Sequence, residues 1–253
     1  MRTISFSLTC FFLLLFFTSY AQKDSVSVQP LRTNMYSFSA GYSNIDVSVL
    51  NQFLASSASG SFSNNFGVMG LQSINEFKRV VHGLTFQYGM SERHTQTNYA
   101  GIAGNDMEYY ASSWNLLLEG GYSVISTKRI KLYPLGGVGI GSINANYERV
   151  NNLSIAQFSN NPGVQGQVTK YITCFDAALN VDFFMPSKHR STSLITRGGI
   201  IGLRVGYTKG FGNGHWEFTG ARVQENPSYN PGMFYARVHF GLYNTRPRRW
   251  LWQ

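Results

Sequence analysis

From Met233 to Asn244 the chain reads MFYARVHFGLYN, and every second residue is apolar: Phe234, Ala236, Val238, Phe240 and Leu242. Tyr235, Arg237, His239, Gly241 and Tyr243 stand between them. Successive side chains of a strand point to opposite faces, so the stretch predicts a strand with one greasy face and one polar face. The same pattern recurs. YSFSAGYS sets Tyr36, Phe38, Ala40 and Tyr42 against serines and a glycine, and GLTFQYGM sets Leu84, Phe86, Tyr88 and Met90 against Gly83, Thr85, Gln87 and Gly89. In SWNLLLEGGYSV, Trp114, Leu116, Leu118 and Tyr122 oppose Asn115, Leu117, Glu119 and Ser123. CFDAALNVDFF opposes Phe175, Leu179, Val181 and Phe183 to Cys174, Asp176, Asn180 and Asp182, and IIGLRVGY opposes Ile201, Leu203, Val205 and Tyr207 to Gly202, Arg204 and Gly206. FGVMGLQSINE is the weakest pattern. IKLYPLGGVGIGSINANY is long and glycine-rich, and its Pro134 removes one ladder bond, which a bulge or an edge tolerates.

These segments predict eight strands, near 35–43, 66–76, 80–91, 107–125, 130–147, 170–184, 199–209 and 232–244, with ten as the competing count. Connections alternate between long and short. The long ones run about 44–65, 92–106, 148–169 and 210–231 and are rich in Asn, Ser and Gly. The shorter ones carry cations: Lys78 and Arg79, then Lys128 and Arg129, then Lys188, Arg190 and Arg197. Ile45, Val49 and Phe53 in IDVSVLNQFLA have helical spacing, so a short helix is expected in the first long connection. No repeat of fixed period stands out.

Alternation alone does not say which face is wet, because a soluble sandwich alternates too. Several features decide. The polar faces are mostly Gly, Ser, Ala, Thr, Asn and Gln, whereas a soluble surface carries many Lys and Glu. The apolar faces of the clean strands hold no Lys, Arg, Asp or Glu. The strands approach the roughly 9–11 residues that cross a bilayer when tilted. Aromatics gather towards strand ends, and short turns alternate with long loops, as in outer-membrane barrels. The expected fold class is therefore all-β: a single antiparallel up-and-down transmembrane β-barrel with short periplasmic turns and long outer loops. A closed barrel also satisfies the backbone of a sheet in lipid. Arg237 and His239 then point inward. On the lipid face near the midplane Arg237 would cost roughly 2–4 kcal/mol.

Composition narrows the setting. Charged residues make up 13% of the 253, against roughly 25% in soluble domains. The mean hydropathy of -0.15 is too low for a helical membrane protein. A formal charge of +9 first suggests nucleic acid, but the cations are scattered and accompany no zinc-ligand spacing or RNP-type motif, so nucleic acid is not an expected partner. The N-terminus, MRTISFSLTCFFLLLFFTSYAQ, has a charged start, a short apolar core and Ser19-Tyr20-Ala21, the pattern of a cleaved secretory signal peptide. The expected organisation is a signal peptide over 1–21, a periplasmic segment over 22–34, the barrel over 35–244 and a basic aromatic tail over 245–253. Cys174 is the one cysteine beyond the export segment and reads as a small filler on an inward face.

Candidate chemistry is sparse. Asp176, Asp182, Arg204, Arg237 and His239 fall on the inward faces of the last three strands, so an interior polar cluster is expected in which Arg204 and Arg237 pair with Asp176 or Asp182. A narrow lumen demands such pairing, because an unpaired buried charge is expensive. No G-x-S-x-G, H-E-x-x-H or paired-carboxylate motif is present, so catalytic, cofactor-binding and metal sites are expected to be none, and enzymatic activity is not expected. Trp114, Tyr207, Trp250 and Trp252 are the expected membrane-interface anchors.

With TSYAQ at the export site, GGIIGLRVGYTKGF followed by GHWEF, and NPGMFYARVHFGLY closing the chain, the sequence resembles the small outer-membrane β-barrels common in Bacteroidota-type bacteria, which share a barrel shape with OmpA and OmpX. The chain departs from the usual assembly pattern because a basic tail, not a terminal aromatic, follows the last strand. The resemblance implies a cell outer-membrane location and a non-enzymatic envelope, surface-interaction or narrow-pore role. Expected partners are outer-membrane lipids and surface ligands met through the long loops. The competing expectation is a soluble exported lipocalin-like barrel that binds an apolar ligand.

Overall fold

A computed structural model describes residues 31–55, 61–97, 106–127, 129–149, 165–187, 196–212, 215–218, 221–222 and 228–247. Eight long strands account for most of them: β1 (Leu31–Ile45), β2 (Asn65–Phe77), β3 (Val80–Ser91), β4 (Met107–Tyr122), β5 (Ile130–Arg149), β6 (Gln165–Pro186), β7 (Thr196–Phe211) and β8 (Gly232–Pro247). Each pairs antiparallel with the next in the chain, and β8 pairs with β1 from Leu31↔Pro247 to Ile45↔Met233. The sheet thus closes on itself as an up-and-down barrel with no free edge among these strands.

The first and last strands outrun the expected bounds at the same end. Leu31–Asn34 and Thr245–Pro247 lie in the ladder, where Thr33 and Thr245 place their hydroxyl oxygens 3.1 Å apart. The barrel wall therefore takes in residues assigned above to the periplasmic segment and to the tail. FGVMGLQSINE, the weakest pattern, forms a full strand whose inward and outward residues alternate without a break. Pro134 sits beside a bulge. Gly121 faces Leu135 and Ile125 faces Leu132, so the β4 side carries one extra residue there.

The ends differ. The hairpin between β2 and β3 turns on Lys78 and Arg79, with φ of 50° and 70°. Two left-handed residues make a type I′ connection, which usually takes Asn-Gly. A residue with a Cβ costs about 1–2 kcal/mol in that region. At the opposite end the first connection holds helix α1 (Ser48–Ala55), led by Asp46, whose carboxylate accepts the Ser48 N–H at 3.0 Å. The helix expected from the spacing of Ile45, Val49 and Phe53 is present, starting at Ser48, and the Phe53 side chain lies outside the described residues. Ile45 instead ends β1, and Val47 and Leu50 are the fully buried residues. Short ladder segments at His94–Gln96, Ile125–Ser126, Glu217–Phe218 and Ala221–Arg222 extend the wall. No helix among the described residues is long and apolar enough to cross a membrane.

Outside, the wall is apolar. Leu71, Leu84, Leu118, Val138, Ile140, Leu203, Val205, Val238 and Phe240 are all exposed around its middle. Inside, the same strands bury Glu119, Asp176, Asp182, Arg204, Arg237 and His239. Phe175, Leu203 and Phe240 face out while Arg204 and Arg237 face in, so the sidedness expected from the alternation is the one the fold adopts.

Candidate functional site

An eight-stranded barrel has room for side chains and little else. Its interior is built in tiers. Nearest the short turns lies a mixed floor of Met35, Ile74, Val81, Leu135, Phe184, Ile200 and Tyr243, with Phe184 and Tyr243 edge to face at 4.7 Å. Lys131 reaches across it to form an ion pair with Glu76, donates to the Thr33 hydroxyl at 3.3 Å, and lies over the Phe184 ring at 4.9 Å.

One tier up, Asp182 accepts from His239 Nε2 at 2.8 Å and from the Tyr133 hydroxyl at 2.7 Å. Asn180 donates to that same hydroxyl at 3.2 Å. The His239 ring fits because β7 presents Gly202 beside it, where a Cβ would meet the ring and stand 2.6 Å from Asp182 Oδ1.

The central tier is organised by Arg204, 1% exposed. Its guanidinium is ion-paired with Glu119 and with Asp176, the latter at 2.8 Å, and also donates to Tyr235 at 3.0 Å and to Thr85 at 3.4 Å. The carboxylates have further donors. Thr85 donates to Glu119 at 2.7 Å, and Thr208 and Tyr235 donate to Asp176 at 2.6 and 3.1 Å. Arg237 stacks over the Tyr235 ring at 4.7 Å and donates to Ser39 at 3.5 Å. Its guanidinium occupies space left open by Gly70, where a Cβ would stand 2.9 Å from Nη1.

The five residues expected to form an interior cluster are all inward and buried, but their pairing differs from the expectation. Arg204 does meet Asp176. Asp182 is held by His239 and Tyr133, and Arg237 makes no ion pair with a carboxylate among the described residues. Two carboxylates already flank Arg204, and Tyr235 stands between them and Arg237. Sequence reasoning put Glu119 on the inward face but did not identify it as the second partner of Arg204. It also missed Tyr133, Tyr235, Thr85 and Thr208 as the hydrogen-bonding shell, and Glu76 with Lys131. The available signal was a lone charge on an otherwise uncharged inward face, as at Glu119 and Glu76. Cys174 is fully buried on an inward face and donates weakly to Asn115 at 3.3 Å.

Towards the long connections the polar tiers end under an apolar cap. Ile45, Val47, Leu50, Phe62, Phe66, Ile143 and Met233 are buried together, and Phe62 meets Tyr109 edge to face at 5.7 Å. Residues before β8 fold back on the rim, where the rings of Trp216 and Tyr229 pack tilted at 5.6 Å and Lys170 lies 5.4 Å from the Trp216 ring. Tyr229 donates to the Asp46 carbonyl at 2.5 Å. Burial first, and then the nearby Asp46 charge, push its hydroxyl pKa upward.

Of the expected anchors, Trp114 is half-buried on the outer wall beside Tyr88, and Tyr207 stands against Phe234 at 4.6 Å. Trp250 and Trp252 lie outside the described residues.

Chemically, the interior reads as packed ion pairs with Arg237 as the exception: its Nε is buried with no hydrogen-bond partner among the described residues. The central groups are at most about one-twentieth exposed. A cavity of about 20 Å³ lies between Asn115, Ser142, Thr208 and Met233, and one of about 10 Å³ lies beside Asp182 and His239. Each has room for about one water molecule, far below the roughly 300 Å³ at which ligand pockets begin.

No protein-family model matches the sequence, and no curated protein matches it in a sequence search. Among solved structures, the chain is similar to Ail, the attachment invasion locus protein of Yersinia pestis, in complex with the heparin analogue sucrose octasulfate. That match has 11% identity and a TM-score of 0.42, and covers 85% of this chain and 99% of that one. A major outer membrane protein from Thermus thermophilus matches at 9% identity and a TM-score of 0.40, over 85% and 99% of the two chains. Neisserial surface protein A matches at 9% identity and a TM-score of 0.33, over 83% and 95%. At these scores the likeness carries no argument about activity or ligands. The barrel assignment rests on the strand pairing described above.

Proposed function

We propose that the chain is an integral outer-membrane β-barrel protein without enzymatic activity, serving envelope structure and surface interaction. The observation that carries this reading is sidedness. One set of strands exposes Leu71, Leu118, Leu203 and Phe240 outward and buries Arg204, Glu119, Asp176 and Asp182 inward. In water that arrangement is inverted, because it leaves a broad apolar belt exposed. In a bilayer it is favourable, since the belt meets acyl chains and the ion pairs are shielded by the wall.

The packed central tier supports a closed barrel over a narrow pore. A water-filled passage would give Arg204 and Asp176 accessible surface, and they have almost none. It also speaks against a lipocalin-like binder, which needs an apolar internal cavity. Surface contacts then fall to the long-connection end, with α1 and the rim around Trp216 and Tyr229. The narrower resemblance, to barrels of the Bacteroidota type reached through a cleaved signal peptide, rests on TSYAQ and the closing strands alone.

Fractionation and conductance test this reading. The protein should stay with the envelope after carbonate washing, migrate faster unboiled than boiled on gels, and give no unitary conductance steps in planar bilayers. Release by carbonate would refute the membrane assignment. Stable conductance steps would refute the closed lumen.

A further inference from the structure

The two ends of the barrel differ in charge, although Arg93 and Lys209 offset part of the acidic charge at the long-connection end. Among the described residues, exposed and half-exposed acids stand at the long-connection end: Asp46, Glu92, Asp106, Glu108, Glu148 and Glu217. The short-turn end presents cations: Arg32, Lys78, Arg79, Arg129, Arg197 and Arg246. Two of them, Lys78 and Arg79, occupy left-handed backbone positions that Asn and Gly fill at less cost. Strain kept at a turn points to a use for the side chains.

The outer wall of β1–β3 adds a second feature. Its outward rungs change character in order away from the turns. Arg32, Phe77 and Val80 come first, then Asn34, Asn75 and His82, then Tyr36, Ser73 and Leu84, then Phe38, Leu71 and Phe86. Ser73 is small among large neighbours, so the last two rungs form an apolar groove of about 530 Å³. Lys78 folds back over the Phe77 ring at 5.6 Å, onto this wall and beside the register position of Arg32. Arg32 donates to Asn34 at 3.2 Å and to Asn75 at 3.4 Å. Among the described residues no carboxylate forms an ion pair with Arg32, Lys78 or Arg79.

We infer that this wall is a binding site for one anionic glycerophospholipid of the leaflet at the short-turn end. The phosphate sits among Arg32, Lys78 and Arg79. The glycerol and ester oxygens face Asn75 and His82, both able to donate. One acyl chain fills the groove over Ser73. The spacing suits the ligand: successive outward rungs are about 7 Å apart along a strand, so charge, polar linkage and hydrocarbon meet cation, amide and apolar rungs in turn. This inference rests on the bilayer reading above and names a lipid partner within it.

The test uses the full chain, purified in a zwitterionic detergent and first confirmed folded by its gel shift on heating. It is titrated with phosphatidylglycerol and with phosphatidylcholine of identical acyl chains, and bound lipid is read by native mass spectrometry. Phosphatidylglycerol should bind on the order of a hundredfold more tightly, each of the three cations accounting for about fivefold. Arg32→Gln/Lys78→Gln/Arg79→Gln should abolish the preference. Arg129→Gln/Arg197→Gln, at the same end but off this wall, should keep it. Ser73→Leu should weaken both lipids alike. Equal binding of the two lipids by the wild type would overturn the inference, as would equal loss in the two charge variants. A protein that washes off membranes refutes the bilayer reading instead, so the two failures are distinguishable.

Discussion

Arg204→Leu is the most informative single substitution. It removes a guanidinium that is 1% exposed and leaves Glu119 and Asp176, 3% and 5% exposed, without the cation that ion-pairs with both. Breaking a buried pair in this way costs about 3–5 kcal/mol. Thr85, Thr208 and Tyr235 still donate to the orphaned carboxylates, which argues for the middle of that range. For a chain of this size about 4 kcal/mol corresponds to a fall in Tm of roughly 8–16 °C. The assay is thermal unfolding in detergent, followed in parallel by the heat-dependent gel shift and by β-sheet circular dichroism. Arg204→Asp, which places a third carboxylate in the tier, should fall further. Arg204→Leu/Glu119→Gln/Asp176→Asn should recover most of the loss, because it removes the charges and keeps the acceptors. An unchanged Tm for Arg204→Leu would refute the paired cluster. A triple variant no better than the single one would show that lost packing, and not uncompensated charge, is the cause.

Leu203→Arg puts a cation on the outer belt and should cost about 2–4 kcal/mol in lipid vesicles, read as a lower urea midpoint; a wild-type midpoint would take that face out of the hydrocarbon. Gly202→Val drives side-chain atoms into the His239 ring and Asp182, and should lower stability by about 1–3 kcal/mol in the same assay, a loss absent from Gly67→Val, where nothing lies within 4 Å of the added Cβ. Tyr229→Phe removes the hydroxyl that donates to Asp46 and should cost about 1 kcal/mol, seen as faster proteolysis of the long-connection end. The Tyr229 hydroxyl has a folded pKa above its unfolded value, so its contribution is present below pH about 10 and fades as alkali ionises the unfolded chain. Tyr229→Phe should therefore show a shallower loss of stability above pH about 10 than the wild type.

Much of the architecture was legible one strand at a time. The two-residue period assigns each side chain to a face from its neighbours alone, which is why Arg204, Arg237, His239, Asp176 and Asp182 could be placed inside, and Leu203 and Phe240 outside, before any strand was paired. The alternating loop lengths likewise set up-and-down order. Strand ends were less legible, because Leu31–Asn34 and Thr245–Pro247 have no hydrophobic alternation and are ordered by pairing with one another. Partner choice was legible only between neighbouring strands, where Arg204 meets Asp176 as expected. Arg204 finds Glu119 from β4 across the barrel, and Lys131 finds Glu76 from β2. Such contacts depend on the stagger between strands and on the curvature that closes the wall, and both belong to the whole ring. Periodicity, a local property of the chain, determined which residues face inward. Closure brought residues from distant strands to one height inside a narrow lumen, and so decided which of them share a charge.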